Sequence, residues 1–139
     1  MKQLDSALIS IARADELEPN QSDYLLAYGN VLFRSKEYTR AAKKYSEALA
    51  HQKISEIPIN EGHVFFNRGS CWLRLEKYEK AKTDFDSAVE IGYQSAMVYH
   101  NRATALIRLE KRDLACADFN QAIELGSSKS KKYLDKYCD

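Results

Sequence analysis

One spacing pattern recurs along the 139-residue chain and restricts the folds open to it. A small residue is followed twelve positions later by alanine, four positions after that by an aromatic residue, and three after that by another alanine. The three copies are Gly29-Ala41-Tyr45-Ala48, Gly69-Ala81-Phe85-Ala88 and Ala103-Ala115-Phe119-Ala122. The second and third copies are 34 residues apart, whereas the first and second are 40 apart. A period of this length is typical of supersecondary units that stack into an array.

The same register extends towards the N-terminus. Ala7, Ile11 and Ala14 lie 34 positions before the residues of the first copy and keep its small–apolar–small order, and Pro19 then interrupts the chain. An opening half repeat of this kind suggests a piece of a longer repeat protein. We expect one domain over 1–139, made of a half repeat at 3–18, repeats at 22–55, 62–95 and 96–127, an insertion at 56–61 and a capping helix at 128–138.

The spacing inside each copy indicates helices. The two alanines lie seven residues apart, so they return to one helical face, and the aromatic side chain between them can fill the room they leave. Five glycines and two prolines leave few positions that would break helices. Because a single helix pair cannot bury both of its faces, neighbouring pairs are predicted to stack into a solenoid.

These residues resemble the tetratricopeptide repeat. The large residue that opens each repeat is Leu25, Phe65 or Tyr99 rather than Trp, and the closing proline appears only as Pro19. The resemblance implies an all-α, right-handed α-α superhelix of about three and a half repeats with a C-terminal capping helix. It also implies a concave groove, lined by the first helix of each pair, that holds a peptide or a helix of a partner. Residues 115–138 further resemble the closing segment of bacterial repeat proteins.

Helical phase then assigns side chains to the groove that the resemblance implies. Leu73 and Ile107 fit the groove and packing between helices equally well. The remaining groove residues carry apolar, amide and hydroxyl groups that suit peptide binding: Leu26, Asn30, Phe33, His63, Phe66, Asn67, Ser70, Met97, His100, Asn101 and Thr104.

Two sets of arginines have separate expected roles. Arg34, Arg74 and Arg108 occupy equivalent places at the ends of the first helices and are candidate contacts for an acidic ligand. The alternative is that cations simply favour helix C-termini through the helix dipole. Arg68 and Arg102 are expected to brace neighbouring helices rather than touch a ligand.

The first repeat closely resembles repeats of co-chaperones that grip the C-terminal carboxylate of heat-shock proteins. Those repeats use a clamp of a Lys and an Asn, a second Asn, and then a Lys and an Arg. Asn30 and Asn67 match the asparagines, but Leu26, Met97 and Asn101 stand where the clamp has its basic residues. Neutral hydrogen bonds to a carboxylate are weaker than charge-assisted ones, so strong binding to such C-terminal peptides is not expected.

Composition argues against several other classes. The 21 basic and 20 acidic residues give a net charge of +1, which offers no excess to neutralise nucleic-acid phosphates. No apolar run is long enough for a membrane span, and the opening Met-Lys-Gln-Leu-Asp does not resemble a secretion signal. A cytoplasmic location follows as the expectation, with Cys71, Cys116 and Cys138 reduced.

No catalytic, cofactor or metal motif is visible in the sequence. His51, His63 and His100 lack any metalloenzyme context, although His63 and His100 could face each other across the groove as a weak metal site. We therefore predict a non-enzymatic module that binds a protein or peptide, in a scaffold or chaperone-like role. The alternative is a self-associating structural solenoid, so a monomer or a weak homo-oligomer is expected. A metal-binding or enzymatic protein is the distant third possibility.

Overall fold

The computed structural model describes residues 22–52 and 59–138, together with Ser6, Ala7, Ile9, Ser10 and Arg13. Within 22–52 and 59–138 the regular elements are seven helices and no strand. Their bounds are α1 Ser22–Arg34, α2 Tyr38–Gln52, α3 Glu61–Arg74, α4 Tyr78–Glu90, α5 Ala96–Arg108, α6 Arg112–Glu124 and α7 Ser128–Tyr137. The predicted all-α repeat fold is confirmed. Among the described residues, no helix combines the length and apolarity needed to cross a bilayer.

The turns between helices follow two rules set by sequence. Within each pair, the turn places a residue other than glycine at positive φ: Lys36 at 62°, Glu76 at 57° and Glu110 at 59°. Between pairs, Gly92 at 91° and Gly126 at 95° take the corresponding position without a Cβ penalty. In each of these turns the next amide bonds back to the last helical turn, so α1, α3, α4, α5 and α6 each end at a fixed residue.

Side-chain caps mark the start of three helices. The side chains of Asn60, Ser95 and Ser127 accept hydrogen bonds from backbone amides at the start of α3, α5 and α7. Such caps satisfy donors that have no partner inside the helix. Helices α4 and α6 have no side-chain cap, and the tight turn before each fixes its start instead.

The helices pack as pairs, and each pair packs on the next along the chain. The pairs are α1 with α2, α3 with α4, and α5 with α6, while α7 covers α6. The first helices also touch each other, α1 with α3 and α3 with α5, so they share one wall of the stack. That wall carries the site described below.

The glycines of the repeat pattern are required by close packing inside the first two pairs. A Cβ added at Gly29 would lie 2.6 Å from the Tyr45 ring, and one added at Gly69 would lie 2.8 Å from the Phe85 ring. These rings, like Phe119 of the third pair, are almost fully buried. The repeat alanines next to the rings are also buried, as the spacing predicted.

Arg68 and Arg102 each join the two helices of their own pair and also reach the preceding repeat. Arg68 donates to both carboxylate oxygens of Asp84, at 2.7 and 2.8 Å, and also to Ser46 of the preceding repeat at 3.0 Å. Arg102 makes the same two bonds to Asp118 and a third to Asp86. The bracing role expected for Arg68 and Arg102 matches these contacts.

The capping helix α7 shows where the cysteine prediction was wrong. Cys116 of α6 and Cys138 at the end of α7 form a disulfide with Cα atoms 5.8 Å apart, so these two are not the reduced thiols that were expected. Packing of α7 on α6 brings the two together, although 22 residues separate them in sequence. Cys71 is a free, fully buried thiol, and burial raises its pKa to about 12, as suits a packing role.

Two predicted segments fall largely outside the described residues. The half repeat at 3–18 is described only at five positions, of which Ile9 is exposed. The insertion at 56–61 is described from Ile59, whose amide donates to Gln52 Oε1 at 2.8 Å. Glu61 is already the first residue of α3.

Candidate functional site

A groove of about 630 Å³ lies along the wall formed by the first helices, bounded by α3, α5 and α7. Its lining mixes apolar and aromatic side chains with amides, hydroxyls and cations. The lining residues are Phe33, Phe66, Asn67, Ser70, Leu73, Arg74, Glu76, Tyr78, Met97, His100, Asn101, Thr104, Arg108, Lys129, Tyr133 and Tyr137. Most of the side chains assigned to the groove by helical phase are in this set.

Four predicted contacts do not line the groove. Leu26, Asn30, His63 and Arg34 lie outside the lining set, although Asn30 is bonded to a residue within it. Of the two ambiguous residues, Leu73 lines the groove. Ile107 instead borders a second cavity of about 430 Å³ beside Lys136 and Tyr137.

Two separate sets of amide and hydroxyl hydrogen bonds lie at the groove wall. Asn67 Nδ2 donates to Asn30 Oδ1 at 3.0 Å, and the Tyr45 hydroxyl donates to the same oxygen at 2.8 Å. In the next repeat, Asn101 Nδ2 donates to the Ser70 hydroxyl at 3.4 Å. Asn67 is held in place through its side-chain nitrogen. Its side-chain carbonyl oxygen has no partner among the described residues, so it can accept a hydrogen bond from a ligand backbone.

The groove floor is anchored in the hydrophobic core. Phe66 is only 8% exposed and packs against Phe85 and Tyr93, with ring centroids 6.1 and 5.6 Å apart. His63 also stacks on Tyr93, with the two ring centroids 5.8 Å apart. A rigid floor of this kind provides apolar contact area without the entropic cost of ordering loose side chains.

His100 faces the capping helix rather than His63. Its Nδ1 lies 2.8 Å from the hydroxyl of the fully buried Ser130, and its ring packs against Phe119 and Tyr133. Burial, and then the positive charge of Lys129, lower the pKa of His100 below its usual 6.5. Within 22–52, 59–138 and the isolated N-terminal positions, no group of three or more His, Cys, Asp or Glu side chains is placed to hold a metal.

Three cations from three helices reach the groove. Arg74 and Arg108 are the last residues of α3 and α5, and Lys129 lies in the first turn of α7. The Arg108 guanidinium lies over the Tyr78 ring, 5.3 Å from its centroid, and its Nε donates to the Tyr78 hydroxyl at 3.1 Å. One carboxylate, that of Glu76, also lines the groove.

Helical phase of the first helices did not identify five lining residues. They come from a turn, from the start of a second helix and from the capping helix: Glu76, Tyr78, Lys129, Tyr133 and Tyr137. The signal that was present is the spacing of four between Lys129, Tyr133 and Tyr137, which places these three on one face of α7.

Comparisons with known proteins agree with this geometry. Residues 62–91 and 96–125 each match the family model of the tetratricopeptide repeat (TPR). Sperm-associated antigen 1 of Rattus norvegicus is 36% identical over 63 residues, which are 45% of this chain and 6% of that protein. The match therefore spans a small part of that relative.

Two solved structures illustrate the shared fold. The first TPR of Spaghetti (RPAP3), bound to the HSP90 peptide SRMEEVD, superimposes with a TM-score of 0.75 at 23% identity, covering 86% of this chain and 92% of that one. The second TPR domain of human RPAP3, in complex with the HSP70 peptide SGPTIEEVD, gives a TM-score of 0.69 at 26% identity, covering 80% and 89%. The repeat pattern, the helix pairs and these matches together show two tetratricopeptide repeats at 62–91 and 96–125, in a chain whose fold resembles the TPR domains of co-chaperones.

Proposed function

We propose that this protein is an interaction module that binds an extended segment or a helix of a partner protein in the groove between α3, α5 and α7. The observation that carries the proposal is the groove itself, where amides with unused hydrogen-bonding capacity stand beside a fixed apolar floor. Such a surface can bond a peptide backbone while its side chains enter apolar pockets. The tetratricopeptide repeat is in general a protein-interaction scaffold, and both RPAP3 domains were solved with peptides.

The basic carboxylate clamp is not part of the proposal. Leu26, Met97 and Asn101 occupy its basic positions, and Met97 is 63% exposed at the groove edge. We expect a peptide with a free C-terminal carboxylate to bind no more tightly than the same peptide with an amidated C-terminus. A clear preference for the free carboxylate, seen by calorimetry, would contradict this expectation.

A panel of fluorescently labelled synthetic peptides, titrated against the full chain, tests the proposed function. In Asn67→Ala the amide that bonds Asn30 and faces the ligand site is lost, so we expect bound peptides to lose about fivefold or more in affinity. Asn120→Ala is the control, because Asn120 is exposed on α6 and outside the groove lining. Equal binding by both variants would show that peptides do not use the groove.

Self-association, a cytoplasmic location and a bacterial source stay predictions. The half repeat that suggested self-association lies mostly outside the described residues. Light scattering over a range of protein concentrations tests it, and a constant molar mass equal to that of one chain would exclude it.

A further inference from the structure

We propose that the partner segment is acidic, with side-chain carboxylates that lie against Arg74, Arg108 and Lys129. This inference rests on the proposed function and adds the chemistry of the ligand. It concerns carboxylates within the segment rather than a terminal carboxylate, because the three cations, at the ends of α3 and α5 and on α7, do not occupy the positions of the co-chaperone clamp.

The charge of the groove differs from that of the whole chain. Three cations and one carboxylate line it, a formal charge of +2 in one cavity, whereas the chain as a whole carries +1. All three cations are exposed, and within the described residues no carboxylate oxygen lies within 4.0 Å of their charged nitrogens. Arg68 and Arg102, by contrast, are bonded to aspartates.

The helix dipole does not account for this set. Arg74 and Arg108 end their helices, where a cation is favoured. Lys129 is in the first turn of α7, where the dipole disfavours a cation, and that turn contains no acidic residue. A positive charge held at an unfavourable position, beside two arginines in one cavity, indicates a surface suited to an anionic ligand.

Tyr78 prepares Arg108 for such a ligand. The Tyr78 hydroxyl takes the Nε hydrogen bond and its ring supports the guanidinium plane. Among the described residues, the two terminal nitrogens of Arg108 have no hydrogen-bond acceptor. Arginine held in this way loses little freedom when its terminal nitrogens bind a carboxylate.

The rest of the groove favours a protein segment over another polyanion. Phe66, Leu73 and Met97 offer apolar surface in the same cavity as the cations, and Asn67 and Asn101 offer amides for a backbone. A nucleic acid would need a broader basic surface than a nearly neutral chain provides. The ligand that fits all of these groups is an acidic segment that also carries apolar side chains.

The test uses fluorescence anisotropy on the full chain with synthetic peptide pairs, in which each acidic peptide has a partner with Glu and Asp replaced by Gln and Asn. All peptides are amidated at the C-terminus. We expect the acidic member to bind about tenfold more tightly at low salt, with the difference shrinking as salt is added. Binding without a charge preference would overturn the inference and leave the proposed function intact, whereas no binding by any peptide would overturn both.

A set of variants assigns the effect to these residues. In the triple variant Arg74→Gln, Arg108→Gln, Lys129→Gln, acidic peptides should lose about tenfold in affinity while their neutral partners change little. The control is Lys43→Gln, Lys131→Gln, Lys132→Gln, which removes the same charge from exposed positions outside the groove lining. Equal losses in both triple variants would show a general charge effect and overturn the inference.

Two further measurements separate the remaining outcomes. The reversed variant Arg74→Glu, Arg108→Glu should prefer peptides in which lysine replaces glutamate, and retention of the original preference would count against the inference. Competition by a DNA oligonucleotide as strong as that by an acidic peptide would also overturn it. Circular dichroism of each variant checks that the helices are intact.

Discussion

The carboxylate of Asp118 accepts two hydrogen bonds from the guanidinium group of Arg102, at 2.7 and 2.8 Å. Both side chains are mostly buried, so removing one leaves the other without its main partner. We expect Asp118→Ala to lower the free energy of unfolding by about 2 kcal/mol. The loss should be smaller than for a fully buried ion pair because Arg102 keeps its hydrogen bond to Asp86. Urea unfolding measures the change, and exposed Asn120→Ala on the same helix should cost under about 0.5 kcal/mol. Similar losses in the two variants would contradict the bracing role.

The contact between Gly69 and the Phe85 ring supports a second prediction. Gly69→Ala gains up to about 1 kcal/mol of helix propensity, but its Cβ would lie 2.8 Å from the ring, and overpacking costs about 1–3 kcal/mol. We expect a net loss of stability in chemical unfolding. The smaller side chain in Phe85→Leu should reduce or reverse that loss when the two changes are combined. If Gly69→Ala stabilises the otherwise unchanged protein, the packing account is wrong.

His100 makes stability depend on pH. Burial and the positive charge of Lys129 lower the pKa of His100 in the folded state. In the unfolded chain the His100 ring therefore takes up a proton at higher pH, near 6.5. The free energy of unfolding should therefore fall as pH falls from about 6.5 towards the folded pKa. His100→Phe, which copies Phe66 at the equivalent position of the preceding repeat, should show a smaller slope in that window. Unfolding curves at several pH values test this, and identical slopes in the two proteins would refute it.

The fold could be predicted from the sequence because each repeat must satisfy the same packing condition. The small residue at Gly69 and the ring at Phe85 meet inside a helix pair, so their spacing records a contact directly. Helical phase indicated the side chains of the first helices that line the groove, although it also assigned Leu26, Asn30 and His63, which lie outside the lining. Arg68 and Arg102 each follow an asparagine in the two later repeats, and the bracing role expected of them matches their contacts with Asp84 and Asp118.

The part of the site that was missed depends on how α7 lies on α6. The periodicity within one helix shows which residues share a face, but it does not show which other helix that face packs against. Lys129 and Tyr133 could therefore not be assigned to the groove. The same packing decides whether Cys116 and Cys138 meet, and no local pattern marks that pair. Asn30 was placed in the groove by phase alone, but its Oδ1 is occupied by Tyr45 and Asn67.

The disulfide predicts a stability that depends on redox conditions. Closing a loop between residues 22 positions apart restricts the unfolded chain and contributes roughly 3 kcal/mol on the chain-entropy model. Reductant should therefore lower the thermal midpoint of the unmodified protein. Cys138→Ser should have the lower midpoint from the start and show no further change with reductant. An unmodified protein that is indifferent to reductant, with thiol titration confirming reduction, would contradict the prediction.

Contacts between helices that are neighbours in the chain have a consequence for folding kinetics. Each pair is complete once about a repeat length of chain is present, and it needs only the next helix to bury its open face. Since few contacts require distant segments to meet, the entropic cost of closing long loops is small and the barrier to folding should be low. Structure can then form progressively as the chain emerges during synthesis, with each new helix adding to a surface that is already ordered.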